Sequence, residues 1–278
     1  LMSHPDFKVD YVFIDEAHKL ISQDGRSTFY YKVVDFLMRR QNAIKPKVIF
    51  SSPNIPNPDL FQKTITNPQI SKTIASIKLS PVNQFKFIVD FDKCKLKVHS
   101  SIENKVIDCC DISPTLDLNE LIQMRSNIFS PNLDERKNTL VYCSSVSKAI
   151  KLAKAFADSI PMPTDIPEEL QKFSDELKED ISEHYFLVEL VKKGVAFHVG
   201  YLPNKTRVKL EKLFKARHIT VLFCTSTLIE GVNFPAKNLF VTNYKNGRNN
   251  LSNIDFKNLI GRVGRIQFNL YGTIYLIN

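Results

Sequence analysis

The chain contains no tryptophan and only 8 glycines in 278 residues, about 3% where roughly 7% is ordinary. Seven of them fall between Gly194 and Gly272, leaving Gly25 alone upstream. Neither G-x-x-x-x-G-K-[ST] nor G-x-G-x-x-G occurs, which excludes a P-loop and a Rossmann fingerprint from these residues. Phosphate chemistry would therefore need other elements, or a part of the protein outside this sequence. The five cysteines (Cys94, Cys109, Cys110, Cys143, Cys224) are odd in number and include no C-x-x-C. Cys94, His99, Cys109 and Cys110 also lack zinc-ligand spacing, so a reduced, intracellular (cytoplasmic) setting is expected. No apolar run approaches the roughly 18 residues of a membrane span, and Leu1-Met2-Ser3-His4-Pro5 has no signal-peptide character. A soluble protein with no membrane partner is expected.

Acidic residues are scarce in one region. Residues 190–278 hold 14 Lys+Arg against Glu211, Glu230 and Asp255, a net of +11, while residues 1–189 hold 24 basic and 26 acidic residues. A basic part joined to a near-neutral one suits a polyanionic partner held mainly from one side. It suits a solvated basic face equally well. With 43% hydrophobic and 24% charged residues, the composition is otherwise that of a globular protein of about two domains.

Short apolar runs recur, each closed by polar residues. Val12-Phe13-Ile14 leads to Asp15, Val48-Ile49-Phe50 to Ser51-Ser52, and Leu140 to Cys143 leads to Ser144-Ser145. Thr220 to Cys224 leads to Thr225, and Leu239-Phe240-Val241 to Thr242-Asn243. Such runs suit strands buried on both faces, and the helical patterns between them predict an α/β fold with a parallel sheet. Ser145 or Ser147 caps a helix whose Ile150, Ala153, Ala157 and Ile160 share a face. Alternation around Phe85, Phe87, Val89 and Phe91, then Leu96 and Val98, predicts a pair of antiparallel strands. A single mixed-charge helix is expected from about Glu168 to Lys193. Ser80-Pro81 marks a boundary between units 1–80 and 81–278. The many phenylalanines read as core, and His198 beside Phe197 reads either as a core histidine or as a nucleic-acid contact.

Ligands of open parallel sheets bind beyond the carboxyl ends of the strands, where these small polar and acidic groups fall. Residues 12–20, VFIDEAHKL, place two carboxylates and a histidine there. One carboxylate can hold Mg²⁺ and its neighbour can deprotonate a water; a surface acidic turn is the plain alternative. In NLIGRVGR at 258–265, Arg262 and Arg265 are three apart, a spacing that shares a helix face and can address one phosphate. Two surface arginines are the plain alternative here.

Taken in order, VFIDEAHKL, SPNIPNP at 52–58, LVYCSS at 140–145, FCTSTLIEGVNFPA at 223–236 and NLIGRVGR resemble the superfamily 2 helicases of DEAD/DEAH type. Within these the chain is most similar to the Ski-like DNA and RNA helicases, through the T-x-x-L-x-x-G-V-N-x-P-A form of the fifth motif. GVAFHVGYLPNKTRVKLEKLF at 194–214 also looks like that family's segment before the fifth motif.

The resemblance implies two RecA-like, P-loop NTPase-like lobes, the first incomplete: its second half in 1–80 with motifs II and III, the second lobe in 81–278 with motifs IV to VI. It implies ATP and Mg²⁺ as cofactors and single-stranded DNA or RNA as partner, in an ATP-dependent helicase or translocase. Asp15 would hold Mg²⁺ through water, Glu16 would activate the attacking water, and His18 would couple the nucleotide to the third motif. Gly231 and Asn233 would approach the nucleotide, with Asn258 opening the motif that brings Arg262 and Arg265 to the γ-phosphate. Ser144 and Thr225 would contact backbone phosphates, which position a strand without reading sequence.

Three departures bear on this. Ser52-Pro53-Asn54 stands where the third motif is usually Ser-Ala-Thr, Asn258 stands where Gln is usual, and the phosphate-binding loop that precedes the acidic motif in the family is not in these residues. A non-hydrolysing nucleic-acid-binding or partner-docking module derived from a helicase core is therefore the alternative expectation.

Overall fold

A computed structural model describes residues 9–15, 17, 27–39, 46–52, 83–100, 103–226, 236–247, 249–264 and 271–278. The chain divides into two compact units, Leu1–Leu79 and Ser80–Asn278.

In the first unit, β1 (Tyr11–Ile14), α1 (Ser27–Met38) and β2 (Lys47–Phe50) follow one another. β1 and β2 pair in parallel, with Ile14 opposite Phe50. Ile14, Ala17 and Val34 form a small core against which Val12, Val48 and Phe50 pack. Two backbone bonds tie the strand ends together. The Ser51 N–H donates to the Ile14 carbonyl at 2.9 Å, and the Ala17 N–H donates to the Ser51 carbonyl at 2.9 Å. The turns carrying Asp15 and Ser52 thus meet at one end of the pair.

The second unit opens with a meander, β3 (Asn83–Asp90), β4 (Lys95–Ser100) and β5 (Lys105–Asp111), and α2 (Leu118–Ser126). The α/β part then runs β6 (Thr139–Tyr142), α3 (Val146–Asp158), α4 (Glu168–Asp180), α5 (Phe186–Lys192), β7 (Val195–His198), α6 (Asn204–Lys215) and β8 (Val221–Cys224). It continues through β9 (Asn238–Val241), a small hairpin β10 (Lys245–Asn246) and β11 (Asn249–Asn250), α7 (Asn253–Ile260) and β12 (Tyr271–Ile277). The described strands form an eight-stranded sheet in the order β5-β4-β3-β12-β9-β6-β8-β7. From β3 to β7 every pairing is parallel; the β3–β4 and β4–β5 pairings are antiparallel.

The four-residue strands β6, β7, β8 and β9 are buried at every position, as covering of both sheet faces requires. Phe156, Phe214, Phe223 and Phe240 fill this core, each stabilising the fold by roughly 1.5–3 kcal/mol through burial. The Ser145 hydroxyl caps α3 by accepting from the Lys148 N–H at 3.3 Å, and Ala149, Ala153, Phe156 and Ala157 form its buried stripe.

The single helix expected over 168–193 is two helices. In a continuous helix Val188 and Val191 would fall in phase with Leu170 and Phe173, but Leu190 would stand about 160° from Leu170, so the apolar residues could not all face one core. The chain breaks at Ile181–Tyr185, and Leu170, Phe173 and Leu177 of α4 and Leu187, Val188, Leu190 and Val191 of α5 are all buried. The Ser174 hydroxyl pins the pair by donating to the Val188 carbonyl at 3.1 Å.

Candidate functional site

The residues singled out by sequence fall in separate places. Asp15 follows β1 directly and is exposed at its carboxyl end. Glu16, His18, Gly231, Asn233 and Arg265 lie outside the described residues. No group of three or more His, Cys, Asp or Glu residues is placed to hold a metal ion among the described residues.

In the second unit the sheet brings Ser144 and Thr225 together. β6 and β8 pair with Tyr142 opposite Cys224, and the Cys143 N–H donates to the Cys224 carbonyl at 2.8 Å. Ser144 and Thr225 therefore emerge side by side beyond the strand ends, 7% and 5% exposed. Their neighbours are hydrophobic: burial raises the Cys143 thiol to about 12 and lifts Cys224 well above its ordinary range. Both thiols stay protonated and act as apolar filler.

The hairpin of β10 and β11 is clipped over this end, a feature the sequence pattern did not reveal. The Gly247 N–H donates to the Ser144 carbonyl at 2.8 Å, and the Tyr142 hydroxyl donates to the Lys245 carbonyl at 3.0 Å. Gly247 sits at φ +62°, a left-handed conformation that glycine adopts without strain. Tyr244 and Lys245 beside it are exposed.

The arginine motif lies at the other end. α7 stops at Ile260, so Arg262 sits in the turn after the helix and not on a helix face as its spacing suggested. Gly264, at φ +65°, reverses the chain there. The turn is fastened on three sides. The Ala236 N–H donates to the Arg262 carbonyl at 3.3 Å and the Gly264 N–H donates to the Ala236 carbonyl at 3.1 Å, joining the end of the fifth motif to the sixth. Gln84 on β3 donates to the Ile260 carbonyl at 2.8 Å and to the Val263 carbonyl at 3.0 Å. Gly272 on β12 lies against Val263 and Gly264. Arg262 is 9% exposed, and Asn258 is half-buried on α7. Four-residue strands at about 3.3 Å per residue set the two ends of the sheet about 13 Å apart.

His198 is a core residue: burial, with the nearby Arg207 charge adding to it, lowers its pKa to about 4, so it is neutral near pH 7. The basic excess of the second unit is partly matched in space. Lys205 pairs with Asp180 at 2.7 Å and Lys209 with Glu176 at 3.1 Å, so acids of α4 offset bases of α6. No described helix is long and apolar enough to cross a membrane.

Residues 170–267 match the family described as helicase conserved C-terminal domain. The chain is similar to the ATP-dependent DNA helicase Hel308 of Caldivirga maquilingensis, 26% identical over 282 residues that cover 98% of this chain and 34% of that protein. The Hel308 of Thermoplasma volcanium is 31% identical over 186 residues, 66% of this chain and 26% of the relative. DNA polymerase theta of Drosophila melanogaster is 27% identical over 288 residues, 96% of this chain and 13% of the relative. The chain thus spans about a third or less of the length of these curated relatives. The family match and the relatives support a superfamily 2 helicase C-terminal lobe, and the large, mostly parallel sheet with helices between its strands agrees with a RecA-like lobe of that kind.

Proposed function

We propose that the chain forms part of the motor core of an ATP-dependent helicase or translocase of the Ski-like subgroup, acting on single-stranded DNA. The observation that carries this reading is the joining of Ala236 to the Arg262–Gly264 turn, which couples the fifth and sixth motif segments through backbone bonds. In this reading residues 1–80 belong to the first lobe and 81–278 form the second. Asp15, exposed at a strand's carboxyl end, is a group that fits Mg²⁺ held through water. ATP with Mg²⁺ supplies the phosphoanhydride cleavage that drives movement. Glu16 takes the proton of the attacking water and His18 couples the nucleotide to the third motif. Gly231, Asn233 and Asn258 face the nucleotide, and Arg262 and Arg265 stabilise charge on its terminal phosphate. Ser144 and Thr225 hold backbone phosphates, and the DNA names of the relatives favour DNA over RNA.

The test uses the chain and a longer protein that includes an upstream phosphate-binding loop. Single-stranded DNA binding by the chain should weaken linearly in log affinity against log salt; a flat titration overturns the assignment of the strand to the basic unit. In the longer protein Glu16→Gln should abolish DNA-stimulated ATP turnover, and retained turnover overturns the motor reading.

Ser52-Pro53-Asn54 in place of Ser-Ala-Thr favours the second reading, a non-hydrolysing nucleic-acid-binding or partner-docking module. DNA binding without any turnover by the longer protein would select it.

A further inference from the structure

A cavity of about 500 Å³ opens at the amino-end pole of the sheet, away from Ser144 and Thr225. Arg136 and Lys137 reach it from the loop before β6, Lys215 and Arg217 from the end of α6, and Lys237 and Tyr271 from just before β9 and the start of β12. Its size lies within the range of small-molecule sites. It touches the arginine turn only by chain adjacency, since Lys237 follows Ala236 and Tyr271 precedes Gly272.

The charges on its wall do not balance. Of its two acids, Asp134 is taken by Arg217 at 3.1 Å, and the Glu135 carboxylate accepts from the Ser130 hydroxyl at 2.7 Å. Lys237 is held by the Tyr271 carbonyl at 3.1 Å and sits over the Tyr271 ring, 2.9 Å from its centroid. Arg136 uses its Nε on the Ser130 carbonyl at 2.7 Å, which leaves the outer edge of its guanidinium without a carboxylate among the described residues. Lys137 and Lys215 likewise have no acidic partner there. Burial lowers the Arg136 pKa with no acid acting against it, the behaviour of a partly desolvated cation lacking its counter-charge.

We propose that this cavity binds a phosphate ester, with the Arg136 guanidinium taking two oxygens side by side and the Lys137 and Lys215 ammoniums closing on the third. A guanidinium fork matches phosphate geometry in this way, and lysines add unoriented charge. The cavity does not use the motif residues, so the proposal does not rest on the helicase reading. The phosphate has two possible sources: a free phosphorylated small molecule, or the backbone of a nucleic-acid strand.

The probe is inorganic tripolyphosphate, titrated calorimetrically into the 278-residue chain at low salt. Saturable binding is expected, weakened at least tenfold in Lys137→Gln/Lys215→Gln and unchanged in Lys172→Gln, on the exposed face of α4. Unaltered affinity in the double variant, shown to be folded by its thermal transition, overturns the proposal. So does a loss confined to Arg262→Ala, which would put the anion at the arginine turn. Arg136→Lys, which keeps the charge and removes the fork, should lose several-fold; full retention removes the guanidinium's assigned role. A single-stranded oligonucleotide then separates the sources. If it displaces tripolyphosphate and itself loses affinity in the double variant, the strand backbone supplies the phosphate. If it leaves tripolyphosphate bound, the source is a free phosphate ester.

Discussion

Gly272 lies so close beneath Val263 that a Cβ added there would run into the Val263 side chain and stand 2.7 Å from the Gly264 nitrogen. One of these neighbours is backbone, so relief requires moving the turn that carries Arg262. Gly272→Ala should therefore destabilise the second unit by about 1–3 kcal/mol, as overpacking does, read as a lower midpoint in urea. An unchanged midpoint would show that the turn can move freely.

Gln84 braces the same turn from the neighbouring strand, where it pairs with Gly272. Replacing it by alanine removes two bonds to carbonyls, each worth about 0.5–1.5 kcal/mol. The expected loss is about 1–3 kcal/mol, with faster amide exchange at Val263 and Gly264. Loss of stability without that local exchange would mean that Gln84 braces something other than the turn.

Tyr142→Phe tests the clip over the carboxyl ends. The phenol is buried, and burial pushes its pKa well above the ordinary value, so it remains a donor at all working pH values. Losing its bond to the Lys245 carbonyl should cost about 1 kcal/mol and speed exchange of the Gly247 amide. Exchange at Gly247 as slow as in the unsubstituted chain would show that the backbone bond to Ser144 suffices alone.

His198 should make stability depend on pH. Its folded pKa of about 4 lies below the ordinary 6.5, so the unfolded chain binds the proton more readily between these values. The contribution is complete above pH 6.5 and is lost as pH falls toward 4; from pH 7 to pH 5 the loss is about 2 kcal/mol. His198→Gln should flatten that slope relative to the unsubstituted chain in denaturant titrations at the two pH values. Parallel slopes would assign the pH dependence to other groups.

The parts of this fold legible in sequence are those whose signal is local. Leu140 to Cys143 and Val221 to Cys224 announce strands because both faces are covered. Val12 to Ile14 does so by its apolar run although Phe13 is exposed, and small polar residues after all three mark the strand ends. β7 was missed because its last position is a histidine, which reads as polar until burial neutralises it. β12 begins with Tyr271-Gly272, and nothing nearby says that the glycine is required by Val263. At the candidate site, the position of Ser144 and Thr225 at strand ends is legible in the same way, while their choice as phosphate contacts rests on the resemblance. The brace from Gln84 joins residues 176 positions apart, which no pattern in a short window can show. The break between α4 and α5 escaped for the opposite reason: each half is helical in its own right, and only their packing forbids continuity.

The second unit has different chemistry at the two ends of one stiff sheet, and that makes it a lever. Any tilt about the middle of its strands swings Thr225 and Ala236 in opposite senses, with no internal rearrangement, because a close-packed interior moves as a body. In such a tilt, a displacement at the arginine turn is matched by one of opposite direction at the hydroxyls of Ser144 and Thr225.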